Sequence, residues 1–138
     1  MLKLKYFRIH TKDIAFATKL PRGLFVSVWK LVERGVMCES EVHEYWENRS
    51  WFEKNLPVPS FYEKGNPEKA ITWFKENSSG FGMLEKMEFY KRMAEKYGIE
   101  IFLTKSEVVP GKLIYEDEYQ IAVVDGFHTG NGLRTTKL

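Results

Sequence analysis

Lys112-Leu113-Ile114-Tyr115-Glu116-Asp117-Glu118-Tyr119-Gln120-Ile121-Ala122-Val123-Val124 is the stretch on which the reading of this chain turns. Two β-prone runs flank an acidic step, the pattern of a tight hairpin. The same turn gathers the carboxylates of Glu116 and Glu118, the phenols of Tyr115 and Tyr119 and the amide of Gln120. It is expected to be the last β-ribbon of a sheet, and it is also a candidate site.

Upstream of the hairpin, Ile99 to Thr104 reads as another strand. Met83, Met87, Tyr90, Met93, Ala94 and Tyr97 form one helical stripe that Gly98 ends, giving a helix over 83–97. Ser78 to Gly82 is a loop. Asn66-Pro67-Glu68 has the chemistry of a helix start, but Ile71-Thr72-Trp73-Phe74 is β-prone, so one short turn and a strand at 70–75 are expected. Pro57, Pro59 and Gly65 mark an extended loop. Val42, Tyr45, Trp46, Arg49 and Phe52 repeat at helical spacing behind Ser40 as a cap, giving a helix over 41–55. Leu24, Val28, Leu31 and Val32 give another over 24–34, closed by Gly35. A short helix through Ala15-Phe16-Ala17 precedes it.

At the start, residues 2–11 alternate as a strand, but its faces exchange character. Leu2, Leu4 and Tyr6 continue on the same side as Arg8 and His10, while Phe7 and Ile9 turn the other side apolar. Such a strand is buried on both sides or runs from the core into a site. Together these elements predict an α+β fold with a mixed, mostly antiparallel sheet of four or five strands and helices mainly on one face. Strand 70–75, helix 83–97 and strand 99–104 fit a parallel crossover. Residues 1–125 are expected to form a single domain. Residues 126–138, rich in glycine and poor in apolar side chains, are expected to be a flexible or partner-docked tail.

Composition narrows the function classes. At 138 residues the chain can bury a core without staples. Aromatic residues make up 15%, so much of that core is ring surface. With 21 basic and 19 acidic residues, the net charge of +2 is too balanced for a dedicated nucleic-acid binder. The lone Cys38 excludes an internal disulfide and has no sequence-local activator, which suits a soluble cytoplasmic protein. No apolar run reaches the length of a membrane span. His10, His43 and His128 lack the tight spacing of a metal site, and no cofactor motif is present.

The remaining candidates concern anions. An inward Arg8 must meet an anionic partner, which can be a ligand or a hairpin glutamate, and His10 beside it can serve as acid, base or donor. Lys19 and Arg22 precede Gly23 before a helix, where backbone amides and cations make an anion site without the glycine spacing of a P-loop. In the proline- and glycine-rich loop, Phe61-Tyr62 with Lys64, Asn66 and Lys69 can frame a ring and an anionic group. Glu116 and Glu118 can act as an acid–base pair or hold a ribose, or simply form a solvated turn neutralised by nearby lysines. Trp46, Trp51 and Trp73, like Phe61 and Tyr62, can stack bases, though such residues are more often core.

Arg8 on an early strand, Thr72 in a β-prone run and Glu116-Asp117-Glu118 resemble in outline the arginine, hydroxyl, Glu-x-Glu order of ADP-ribosyltransferases. That resemblance implies Glu118 as the catalytic carboxylate, which binds ribose and polarises the bond to nicotinamide, and Arg8 as a phosphate holder. The chain departs from the family in lacking its Ser-Thr-Ser run and in carrying the helical stretch 24–56 between the matching parts.

Three function classes follow. The leading one is a non-catalytic binding protein for an anionic, nucleotide-type small molecule, with Arg8, His10, Lys19, Arg22, Tyr62, Lys64, Glu118 and Gln120 as its ligand-binding residues. The second is an inhibitor or interaction protein that docks on a larger enzyme through its tail. The third is a small enzyme on a nucleotide or sugar-phosphate, using Glu118, Glu116 or His10. A homo-oligomer that builds the site between subunits is compatible with each.

Overall fold

Alternation along the first strand sorts the whole molecule into two layers. The computed structural model describes residues 6–14, 21–57, 59, 64–76, 83–126 and 133–138. β1 spans Tyr6–Ile14, and five consecutive residues in it, Phe7 to Thr11, are buried. Phe7 and Ile9 face the helices, α1 (Leu24–Arg34), α2 (Glu39–Asn55) and α4 (Glu88–Lys96), in one large core. Tyr6 faces the other way and packs on a second cluster of Ile71, Trp73, Ile121 and Val123. The exchange of character seen in the sequence is therefore a strand buried on both sides.

The other strands are β2 (Pro21–Gly23), β3 (Ile71–Lys75), β4 (Phe102–Ser106), β5 (Lys112–Glu116), β6 (Gln120–Val124) and β7 (Leu133–Lys137). Their order is β5-β6-β3-β1-β4-β7, with β2 added beside β1. The fold is α+β with helices against one face, as expected, but the sheet has seven strands. Every pairing among the described residues is antiparallel.

The expected parallel crossover takes a different form. β3 and β4 run in the same direction because each is antiparallel to β1, but β1 lies between them. Part of the expected tail forms a strand, and residues 127–132 lie outside the described residues. Leu133–Lys137 pairs with β4 along its length, Ser106 opposite Leu133 and Phe102 opposite Lys137. Residues 133–137 carry little apolar surface because an edge strand needs backbone hydrogen bonds more than a hydrophobic face.

The helix expected over 83–97 breaks in two. Met87 (φ −89°, ψ 2°) interrupts α3 (Met83–Lys86) from α4, with its side chain fully inside the core. Cys38, not Ser40, is the residue before α2. Its amide donates to Glu41 Oε1 at 3.0 Å in a capping box, and its thiol is exposed. Glu41 also accepts hydrogen bonds from Lys96 and Tyr97, which ties the start of α2 to the end of α4. The aromatic core is locked edge-to-face: the Phe25 ring lies 4.8 Å from Tyr90 and 5.1 Å from Phe52. No helix among the described residues is long and apolar enough to cross a membrane. The short helix expected at residues 15–17 lies outside the described residues.

Candidate functional site

The sheet parts at Arg8. β3 pairs with β1 only at Tyr6 and Phe7, and β2 takes over the same edge from His10, opposite Gly23. Between the two pairings a cleft of about 350 Å³ opens. Arg8 and Arg22 both line it, with Asn66, Thr72 and the first helical residues of α1, Leu24 to Val26. Among the described residues, its other lining residues are uncharged. Arg8 is 8% exposed, so its charge sits in a shielded place.

Gly23 ends β2 and caps α1 without a side-chain hydrogen bond, and the first turn of α1 holds no acidic residue. The positive end of the helix is therefore uncompensated by its own sequence. A Cβ at Gly23 would sit 3.5 Å from Nη2 of Arg8, which places that guanidinium beside the helix start. Two guanidinium groups and a helix N-terminus in one recess suit a phosphate or carboxylate. Asn66 closes the far wall and holds its own loop: its amide donates to Ala70 O at 2.9 Å and its Oδ1 accepts from Ala70 N at 2.8 Å. This loop explains why Asn66-Pro67-Glu68 starts no helix.

His10 points to the same sheet face as Arg8 but into a different network. Thr11 O accepts from Nδ1 at 3.0 Å, so Nε2 must accept from Thr104 Oγ1 at 2.7 Å, and Thr104 in turn accepts from Thr135 at 2.8 Å. Burial pushes the His10 pKa down, against the pull of the Thr11 carbonyl, and the charge of Arg8 lowers it further. His10 is held as a neutral, structural imidazole.

The hairpin carboxylates do not join the cleft. β5 lies three strand spacings from β1, roughly 14 Å, with β6 and β3 between them. Glu116 pairs with Lys75 at 2.7 Å, and Glu118 is exposed at the turn. The residue that organises the turn is Asp117. It accepts from the amides of Tyr119 (2.7 Å) and Gln120 (3.0 Å), from Tyr115 Oη (2.6 Å) and from Gln120 Nε2 (3.0 Å). Burial alone would raise its pKa, but these donors outweigh it and hold the carboxyl below its usual range. The Tyr115 phenol is pushed up to about 12, first by that hydrogen bond. The constellation of Arg8, Thr72 and Glu116-Asp117-Glu118 is thus spread over the sheet, with Thr72 alone sharing the Arg8 cleft.

Set against known protein families, curated proteins and solved structures, the chain matches none. The remaining candidates are placed by geometry. Lys64 is exposed in a turn and does not line the cleft. Lys19 and Tyr62 lie outside the described residues. Gln120 is 3% exposed and lines a second cavity, of about 490 Å³, on the helical side.

That second cavity lies among α1, α2 and α4 and was not legible as a site. Trp29, Tyr45, Phe52 and Tyr90 line it, and at helical spacing such rings read as core. The available signal was Arg49 within the aromatic stripe of α2. Its guanidinium lies 5.4 Å from the Trp29 ring and 5.2 Å from the Trp46 ring, and it donates to Glu53 at 3.1 Å.

Proposed function

We propose that this chain is a binding protein for an anionic small molecule, held in the cleft between β1, β2 and the start of α1. The observation that carries the reading is the convergence of Arg8 and Arg22 on one recess at an uncapped helix N-terminus. These cations come from separate stretches of sequence, and neither predicts the other. Binding is favoured over catalysis because the acid–base candidates stand apart from the cleft: His10 in a threonine chain, Glu116 in an ion pair with Lys75 and Glu118 exposed at the hairpin turn. The docking-tail reading loses support because residues 133–137 are engaged by β4.

Thermal denaturation with inorganic pyrophosphate and with nucleoside diphosphates tests this. A ligand at a hundred times its Kd adds about 2.7 kcal/mol of stability. The rise should weaken with salt and disappear in Arg22→Ala, whose side chain is only half-buried and whose loss should leave the fold intact. No shift with any anion, or a shift that Arg22→Ala preserves, refutes the reading.

A further inference from the structure

Two residues lining the 490 Å³ cavity, Tyr90 and Gln120, each carry one polar atom without a hydrogen-bond partner among the described residues. Tyr90 is 3% exposed, and among the described residues its hydroxyl makes no hydrogen bond. Its ring is clamped by Phe25, Phe52, Tyr45 and Phe89, with centroids 4.8 to 6.1 Å away, so the hydroxyl is held at the cavity. Burial pushes its pKa up, and the hydroxyl senses Tyr45, Arg49 and Glu53, all of which line the cavity. It is a protonated donor at the cavity wall.

Gln120 is the second group. Its amide nitrogen donates to Pro57 O at 2.6 Å and to Asp117 Oδ2 at 3.0 Å. Both partners are pure acceptors, so the amide cannot be flipped, and both of its hydrogens are used. Its carbonyl oxygen, 97% of the residue being buried, has no partner among the described residues. A buried donor and a buried acceptor left unpaired each cost stability, and such groups call for a ligand or an ordered water.

We propose that this cavity binds a flat, uncharged heteroaromatic ring of the nucleobase type, whose edge offers an acceptor to Tyr90 and a donor to Gln120. Aromatic walls supply stacking surface, and the volume lies within the range of small-molecule sites. The occupant is uncharged because Arg49, the one cation on the wall among the described residues, is already matched by Glu53 and by the faces of two tryptophans. The site stands apart from the anion cleft, but Phe25 and Val26 belong to the walls of both. A phosphorylated nucleoside has the parts to use the two together.

The test titrates the full chain with adenosine, guanosine, cytidine and uridine, reading tryptophan fluorescence and melting temperature, with toluene as an apolar control. At least one nucleoside should bind and toluene should not match it. Tyr90→Phe should weaken that binding about tenfold while leaving the unliganded protein as stable or more so, since it removes only an unpaired hydroxyl. Arg22→Ala should leave nucleoside affinity unchanged. The proposal is overturned if no nucleoside binds, which assigns the two groups to water, if Tyr90→Phe binds equally well, or if toluene binds as tightly. Nucleoside binding without pyrophosphate binding would sink the anion cleft alone, and the reverse would sink this site alone.

Discussion

The Arg8 guanidinium lies where a side chain at Gly23 would touch it, 3.5 Å from the position of a Cβ. Gly23 has φ −74° and ψ 161°, a conformation open to any residue, so its lack of a side chain leaves space rather than relieving strain. Gly23→Asp would cap α1 and pair with Arg8 from within the chain. It should raise stability by only about 0.3 kcal/mol in urea denaturation, since glycine is itself a tolerated cap, and cancel stabilisation by pyrophosphate. Undiminished anion binding in this variant would show that the helix start is not the site.

His10 should make the protein sensitive to mild acid. Its pKa is lowered in the folded state, first by burial, so below the ordinary value of 6.5 the unfolded chain binds a proton that the folded chain resists. Stability therefore falls as the pH drops from 7 through 6.5 toward the folded pKa, and is regained on return. Melting temperatures across pH 5 to 7.5 should show this slope in the native protein and a flatter one in His10→Asn. An equal slope in both would assign the effect to other groups.

In the Glu116-Asp117-Glu118 turn, the middle residue should matter most. Asp117→Ala strands two amides, a phenol and a side-chain amide, and should cost about 2 kcal/mol. Glu116→Gln and Glu118→Gln should change stability by less than about 0.5 kcal/mol, as exposed positions do. Chemical denaturation of the three variants distinguishes a turn built on Asp117 from one kept for its glutamates.

Removing residues 133–138 should destabilise the protein rather than trim a tail. Thr104 and Ser106 are fully buried on β4 beside β7, and Thr135 supplies the hydrogen bond that begins the chain through Thr104 to His10. The milder Thr135→Val should cost about 1 kcal/mol and disturb the His10 ring resonances in NMR spectra. A truncated chain that melts like the full one would show β7 to be dispensable.

Local pattern accounts for much of this architecture. The 112–124 hairpin, the strand at 71–75 and helices α1 and α2 each carry their own periodicity and breakers, and the structure places them within a few residues of the expected bounds. The two-faced burial of β1 was legible because alternation reports both faces at once. β7 was not, since an edge strand held by backbone hydrogen bonds needs no hydrophobic signature. Nor was the break at Met87, whose stripe of apolar side chains is continuous in sequence.

The site shows the same division. By itself the sequence determined which side chains are costly to bury, Arg8 and His10, and which dipeptide, Arg22-Gly23, opens a helix. Charge and conformational preference are properties of single residues. Only the tertiary structure decided that β3 leaves β1 after Phe7 and that β2 replaces it at His10, so that Arg8 and Arg22 line one cleft while His10 and the hairpin glutamates go elsewhere. Pairing register and strand order depend on contacts between distant segments, and no local pattern encodes which of several inward polar groups will share a cavity. The same holds for Tyr90 and Gln120, ordinary on their own elements and notable only because packing leaves both buried at one cavity.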